Sequence, residues 1–216
     1  MDRIRHTLGP LIAFHGCDRS IGEAVLAGTK PLQPSNNDYD WLGPGVYFWV
    51  DSFERGLHWA TELTARPESE VERPFVVGAL IHPSLCLNLT DAGAMRELLD
   101  AYAYFARMSA AGGWELPRNS ARANDVFLCR RLDCAVIKAL HELRAEYGIP
   151  PYDTVYGVFE EGEELYPGSG FRQKTHVQIA VRNSECIIGY FRTRGQQQTV
   201  SLGQTTGPRG SKPTEP

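Results

Sequence analysis

Short apolar runs alternate with amphipathic stretches along the chain, and these two patterns predict strands and helices respectively. The predicted strands cover residues 11–15, 43–49, 75–81, 86–89, 154–159, 175–182 and 186–191. The predicted helices cover about 20–28, 52–66, 91–108 and 125–147. Because strands come first, helices fill the middle and strands close the chain, the order favours an α+β fold over a βαβ alternation.

Polar residues mark where these elements begin. Ser20 is placed to cap the first helix, Asp51 or Ser52 the second, Asp91 the third, and Asn124 or Asp125 the fourth. In the second helix apolar residues recur at helical spacing, at positions 53, 57, 60 and 63. From Gly195 onward the chain is rich in Gln, Thr, Gly and Pro, so we expect a single domain over 1–194 and a disordered tail over 195–216.

Composition limits the classes of function. The 216 residues carry a net charge of −4, which gives no general basic field for binding nucleic acid. The apolar run near the N-terminus is short and contains Pro10, which argues against a signal peptide, and no run is long enough for a membrane span. The five cysteines lack a Cys-x-x-Cys pair, so we expect reduced thiols in a cytoplasmic protein and no metal site.

Two stretches carry polar residues that an ordinary core does not need. The first apolar run ends in His15-Gly16, and about thirty residues later comes Gly-Pro-Gly-Val-Tyr-Phe at 43–48. This combination resembles the ADP-ribosyltransferase superfamily, in its diphtheria-toxin and poly-ADP-ribose-polymerase-like branch. The similarity covers 11–60 and returns over 153–191, whereas 91–150 does not align. It implies split antiparallel sheets flanked by helices, with NAD as the substrate that donates ADP-ribose.

The resemblance also implies site residues. His15 would bind a ribose hydroxyl of the adenosine half of NAD, and Gly16 would offer its backbone to the nicotinamide carboxamide. Tyr47 would pack against the nicotinamide ring, and Trp59 would supply a second aromatic wall. Three of these residues have a structural alternative. His15 would be a strand-end histidine bonded to a carbonyl, Tyr47 a core tyrosine, and Trp59 a core tryptophan of its helix.

Gln178 takes the third place of a His-Tyr-Glu triad, so the chain shows a His-Tyr-Gln variant, as in some bacterial branches. Glutamine keeps a hydrogen bond to the ribose but lacks charge and cannot act as a general base. His176 lies two residues earlier on the same strand face and is a candidate base. The alternative for Gln178 is a solvent-facing strand residue.

These residues predict a mono-ADP-ribosyltransferase that releases nicotinamide and modifies an unknown protein or nucleic acid. A catalytically weak module that binds NAD or ADP-ribose, or an NAD glycohydrolase, remains an alternative. An RNA 2′-phosphotransferase is disfavoured because its basic constellation is not visible. The acidic loop at 160–174 matches the place where the family recognises its acceptor, or is a solvated face. Cys134 and His141, seven residues apart in an apolar helix, are expected to be core residues.

Overall fold

A computed structural model describes residues 8–120 and 129–194. In this part of the chain a large mixed sheet is flanked by four helices, which confirms the α+β class. The strands are β1 (Leu11–Asp18), β2 (Val46–Val50), β3 (Pro74–Ile81), β4 (Cys86–Asn88), β5 (Asn119–Ser120), β6 (Cys129–Arg130), β7 (Thr154–Phe159), β8 (His176–Val181) and β9 (Ile187–Arg192). The helices are α1 (Arg19–Leu26), α2 (Phe53–Thr64), α3 (Ala92–Gly112) and α4 (Arg131–Glu146).

Seven of the strands form one sheet in the order β4-β7-β8-β2-β1-β3-β9. Neighbouring strands are antiparallel except for β4 and β7, which are parallel. The ladder between β1 and β2 contains only two residue pairs, Ala13 with Val50 and Phe14 with Trp49. Beyond them the two strands separate, while β1 continues to pair with β3 as far as Asp18. The sheet therefore opens between its two central strands.

Each face of the sheet is covered by a separate apolar core. One core includes Ala13, Phe48, Val77 and Ile179, and it also takes up Val25 of α1. The other core joins the opposite face to α3 and α4. Burying each large apolar side chain contributes about 1.5–3 kcal/mol, so the sheet is held from both sides. The prediction that Cys134 and His141 are core residues is confirmed, since both are buried.

Three of the predicted helix caps lie among the described residues, and two of these three predictions are confirmed. Ser52 accepts a hydrogen bond from Arg55 N, and Asp91 accepts from two backbone amides of α3. The cap predicted at Ser20 is wrong. Asp18 caps α1 and also accepts from the backbone amides of Glu72 and Arg73, and these bonds hold the pKa of its carboxyl well below its usual range. Strand β1 ends at Asp18, three residues further along the chain than predicted.

Three further predictions concern the ends and gaps of the described part. The fourth helix begins at Arg131, whereas the start predicted at Asn124 or Asp125 lies outside the described residues. The predicted tail at 195–216 also lies outside them. A two-stranded ribbon of β5 and β6 was not predicted. Within residues 8–120 and 129–194, no helix is both long enough and apolar enough to cross a membrane.

Candidate functional site

The opening between β1 and β2 is formed by residues 15–18 of β1 and 46–48 of β2, and His15 lies at its start. Its Nδ1 lies 2.8 Å from the backbone oxygen of Tyr47, where an unbroken ladder would have only backbone bonds. The imidazole ring centroid lies 5.6 Å from that of Phe48. The bond to a main-chain carbonyl, which was the structural alternative for His15, is thus present, but His15 lies within β1 and not at its end.

This bond fixes the chemical state of His15. A carbonyl oxygen accepts only, so Nδ1 must carry the proton. Burial lowers the pKa of His15 more than the bond to Tyr47 raises it, so the ring is neutral at physiological pH. The lone pair is then on Nε2, for which the described residues supply no hydrogen-bond donor. His15 therefore presents a hydrogen-bond acceptor that suits a hydroxyl group.

Tyr47 faces the other side of the sheet, where its ring packs against the core that includes Leu42. Its hydroxyl accepts from Leu42 N at 2.8 Å and donates to Gly43 O at 2.7 Å. Burial raises the pKa of this phenol well above its usual range, so the hydroxyl remains protonated. Tyr47 thus holds the loop before β2 in place, and only the part of its ring outside the core is available to a ligand.

The glycines of the two sequence motifs are needed for close packing within the protein itself. A Cβ on Gly16 would overlap the carbonyl oxygen of Gly56 in α2 and would lie 3.3 Å from Ala60 Cβ. A Cβ on Gly45 would lie 2.9 Å from the carbonyl oxygen of Val181 in β8. The close approach expected at these glycines therefore includes protein backbone, and it needs no ligand to explain it.

Gln178 lies on β8 between Trp49 of β2 and Gly157 of β7, its register partners. Tyr47 pairs with Ala180, so Tyr47 and Gln178 are diagonal neighbours on one face, about 7–8 Å apart. The Gln178 side chain is half-buried and makes no hydrogen bond to the described residues. The structure thus brings Tyr47 and Gln178 onto one face of the sheet. Strand alternation directs the His15 side chain toward the opposite face, where its ring lies beside Phe48 and its Nδ1 reaches the backbone oxygen of Tyr47.

Five buried side-chain nitrogens lack a hydrogen-bond partner among the described residues, and three of them belong to residues on the Gln178 side of the sheet: Trp49 Nε1, Arg55 Nε and His176 Nε2. Trp49 lies opposite Gln178, and His176 shares its strand face. Arg55 reaches the same region because its Nη2 lies 3.1 Å from Glu161 Oε2, which in turn lies 3.8 Å from His176 Nδ1. Buried polar atoms almost always have partners, so this clustering indicates a place that water or a ligand fills.

His176 is set for accepting a hydrogen bond. Its Nδ1 lies 2.7 Å from Lys174 O and so carries the proton, which leaves the lone pair on Nε2. Burial lowers its pKa to about 4, and the charges of Arg55 and Arg130 add to this shift. The ring lies against Trp41, with centroids 6.1 Å apart. Trp41 is half-buried, so part of its ring covers His176.

Trp59 lies on α2, above Trp49, with ring centroids 5.9 Å apart. The Arg66 guanidinium lies over the Trp59 ring, 4.8 Å from its centroid. Trp59 is partly exposed, so part of its ring remains accessible beside the buried Trp49. The structure thus places Trp59 on the Gln178 side of the sheet, on the helix that packs against Gly16.

The loop 160–174 is fastened to α2 by ion pairs. Arg55 binds Glu161, and Lys174 Nζ lies 2.7 Å from Glu62 Oε1. Glu161 and Lys174 of this loop are therefore held in ion pairs with α2 and are not freely solvated. Large apolar side chains of this loop remain exposed at its far end, namely Leu165, Tyr166 and Phe171.

Sequence reasoning missed Trp49 and Arg55. Trp49 follows Tyr47 by two residues and therefore shares its strand face, a signal available in the sequence. Arg55 gives no such signal, because its position depends on how α2 packs against β1, β2 and β3 and on its ion pair with Glu161 of the loop. Within the described residues, no group of His, Cys, Asp or Glu side chains could hold a metal ion.

We predict that the protein loses stability as the pH falls from about 6.5 to about 4. His141 and His176 are neutral in the fold, and burial lowers the pKa of each to about 4. The unfolded chain takes up protons near pH 6.5, so each histidine costs at most roughly 1.4 kcal/mol per pH unit in this range. Urea unfolding at several pH values measures this loss. His141→Gln should make it shallower, and an unchanged slope would exclude His141 as its source.

Comparisons with known proteins assign no family. No protein-family model matches the chain. An uncharacterized protein of Methanocaldococcus jannaschii is 38% identical over 53 residues, which are 24% of this chain and 22% of that protein. The matched segment is thus about a fifth of the relative's length. No solved structure matches.

Proposed function

We propose that the protein is a mono-ADP-ribosyltransferase that uses NAD and has the split-sheet arrangement of that superfamily. The observation that carries the proposal is the opening of the β1–β2 ladder at His15, whose Nε2 is left as a hydrogen-bond acceptor. A ribose hydroxyl is a donor that fits this acceptor. The three unpartnered nitrogens around Gln178 support a ligand on the adjoining side of the opening.

The reaction breaks the bond between the nicotinamide nitrogen and ribose C1′. Nicotinamide leaves with the electron pair of that bond, and C1′ develops the positive charge of an oxocarbenium ion. The amide of Gln178 would accept a hydrogen bond from the ribose 2′-hydroxyl, as hydrogen bonds to this hydroxyl assist sugar transfer in glycosidases. Tyr47 and Trp59 would hold the flat nicotinamide ring, since aromatic contacts contribute about 1 kcal/mol beyond burial.

A nucleophile then bonds to C1′ and gives up its proton. Gln178 has no basic atom for that proton, whereas the neutral His176 carries its lone pair two residues away on the same face. An acceptor side chain, a nucleic-acid group or water could each attack. With water the enzyme is an NAD glycohydrolase, which is the second candidate. We place the activity in the cytoplasm, where reduced cysteines are stable and NAD is abundant.

The missing charge at Gln178 favours a third candidate, a module that binds NAD or ADP-ribose with little turnover. A carboxylate in that position would stabilise the oxocarbenium ion, and an amide does so less. Release of nicotinamide from NAD separates both enzymes from the binder. Labelled NAD added to a cell extract, followed by protease or nuclease digestion, shows whether the acceptor is protein or nucleic acid.

Binding is tested by thermal unfolding with NAD. We expect millimolar NAD to raise the melting temperature, because a ligand that binds only the folded state stabilises it. Trp59→Ala should weaken NAD binding about fivefold by removing a stacking surface worth roughly 1 kcal/mol. Trp114→Ala is the matched control, since Trp114 is a partly exposed tryptophan beside α3. Equal responses of the two variants would remove Trp59 from the site.

A further inference from the structure

We propose that Arg66 binds the phosphate nearest to the nicotinamide ribose, so that it selects nucleotides over nucleosides; this rests on the proposed function. The guanidinium lies over the ring of Trp59, 4.8 Å from its centroid. Trp59 is the exposed aromatic surface on which the nicotinamide ring would stack. Arg66 therefore places a cation directly on the proposed ring-binding surface.

Other cations around this region form ion pairs with carboxylates, including Arg130, whose Nη1 lies 3.7 Å from Asp133 Oδ2. Arg55 is paired with Glu161, and Lys174 with Glu62. Arg66 forms no ion pair with a carboxylate in the described part of the chain, and its side chain is exposed. NAD carries two negatively charged phosphates, and the protein itself has a net charge of −4. A guanidinium without an ion-pair partner would therefore strengthen NAD binding.

The position of Arg66 along the chain suits this role. Helix α2 ends at Thr64 with Ala65 as its C-cap, and Arg66 follows immediately, its backbone amide bonded to Leu63 O. The side chain therefore starts beyond the last turn and is not confined to the helix surface. A guanidinium on a tryptophan ring is held only weakly at an exposed site, so it can leave the ring when a phosphate offers stronger bonds.

Departure of Arg66 also uncovers Trp59. Nicotinamide riboside has a cationic pyridinium ring and no phosphate, so it must displace the guanidinium without giving it a new partner. A phosphorylated ligand supplies that partner. The arrangement thus favours phosphorylated ligands in two ways, by attraction and by a cost imposed on ligands that lack a phosphate.

The test compares nicotinamide riboside with nicotinamide mononucleotide, which differ by one phosphate. Calorimetric titration should show that Arg66→Gln weakens the mononucleotide at least about fivefold and leaves the riboside unchanged or tighter. The preference of the wild type for the mononucleotide should shrink as the ionic strength rises to about 0.15 M. The preference of the Arg66→Gln protein should depend less on the ionic strength. Arg107→Gln, which removes an exposed arginine from α3, is the matched control and should behave as wild type.

An equal effect of Arg66→Gln on both ligands, or no effect, would overturn the role of Arg66. If the wild type still bound NAD in that case, the proposed function would stand. If the wild-type protein bound neither ligand nor NAD, the proposed function and the role of Arg66 would both be rejected.

Discussion

Replacing Gln178 by Ala should slow nicotinamide release from NAD at least about tenfold, which corresponds to roughly 1.4 kcal/mol of lost transition-state stabilisation. The affinity for NAD should change much less, because the bond to the ribose hydroxyl strengthens only as C1′ becomes positive. The fold should tolerate the change to within about 0.5 kcal/mol, since the half-buried Gln178 side chain has no hydrogen bond to the described residues. Initial rates at saturating NAD, together with the dissociation constant, measure the two effects separately.

Gln178→Glu sharpens this experiment. A carboxylate beside the ribose would stabilise the developing charge, so nicotinamide release should rise or at least persist. Gln33→Ala changes an exposed glutamine in the loop after α1 and serves as the matched control. If both variants at position 178 kept the wild-type rate, Gln178 would be a structural strand residue, and His176 would be the next residue to replace.

Replacing Gly16 by Ala should destabilise the protein by about 3 kcal/mol, the upper end of the usual cost of overpacking, or prevent folding altogether. The added methyl group would overlap the carbonyl oxygen of Gly56, and backbone cannot move aside as a flexible side chain can. Either β1 or α2 must shift, and with it the opening at His15. Urea unfolding measures the change through the midpoint at constant slope.

Gly189→Ala is the control for the same chemical change in the same sheet. Gly189 lies in β9, where a Cβ would meet no atom within 4 Å. This variant should be neutral or slightly more stable, because alanine restricts the unfolded chain more than glycine does. A Gly16→Ala protein as stable as the wild type would show that α2 does not pack closely on β1.

Local patterns predicted those elements whose formation depends on neighbouring residues. Ser52 and Asp91 cap their helices as expected, and the apolar run at 75–81 is a buried strand with one residue added. The end of β1 was misplaced because His15-Gly16 resembles the end of a strand. Pairing with β3 carries β1 on to Asp18, and no local signal records that long-range contact.

The candidate site was predictable in its residues and less so in its geometry. His15, Tyr47 and Gln178 are the residues that the resemblance implies, and strand alternation places Tyr47 and Gln178 on one face. That the Tyr47 hydroxyl is committed to Leu42 and Gly43 depends on how the preceding loop folds back. The three unpartnered nitrogens likewise depend on contacts between residues far apart in the chain, namely the packing of α2 on β1, β2 and β3 and the ion pair between Arg55 and Glu161.

We propose that the region around His15 and Gln178 cleaves NAD. Cleavage is measured most directly as the free nicotinamide formed when the purified protein is incubated with NAD, quantified by chromatography against a sample without protein. We expect more than one nicotinamide per protein molecule in the wild type and a strong reduction with Gln178→Ala. No nicotinamide from the wild type, together with a melting temperature that millimolar NAD leaves unchanged, would contradict it.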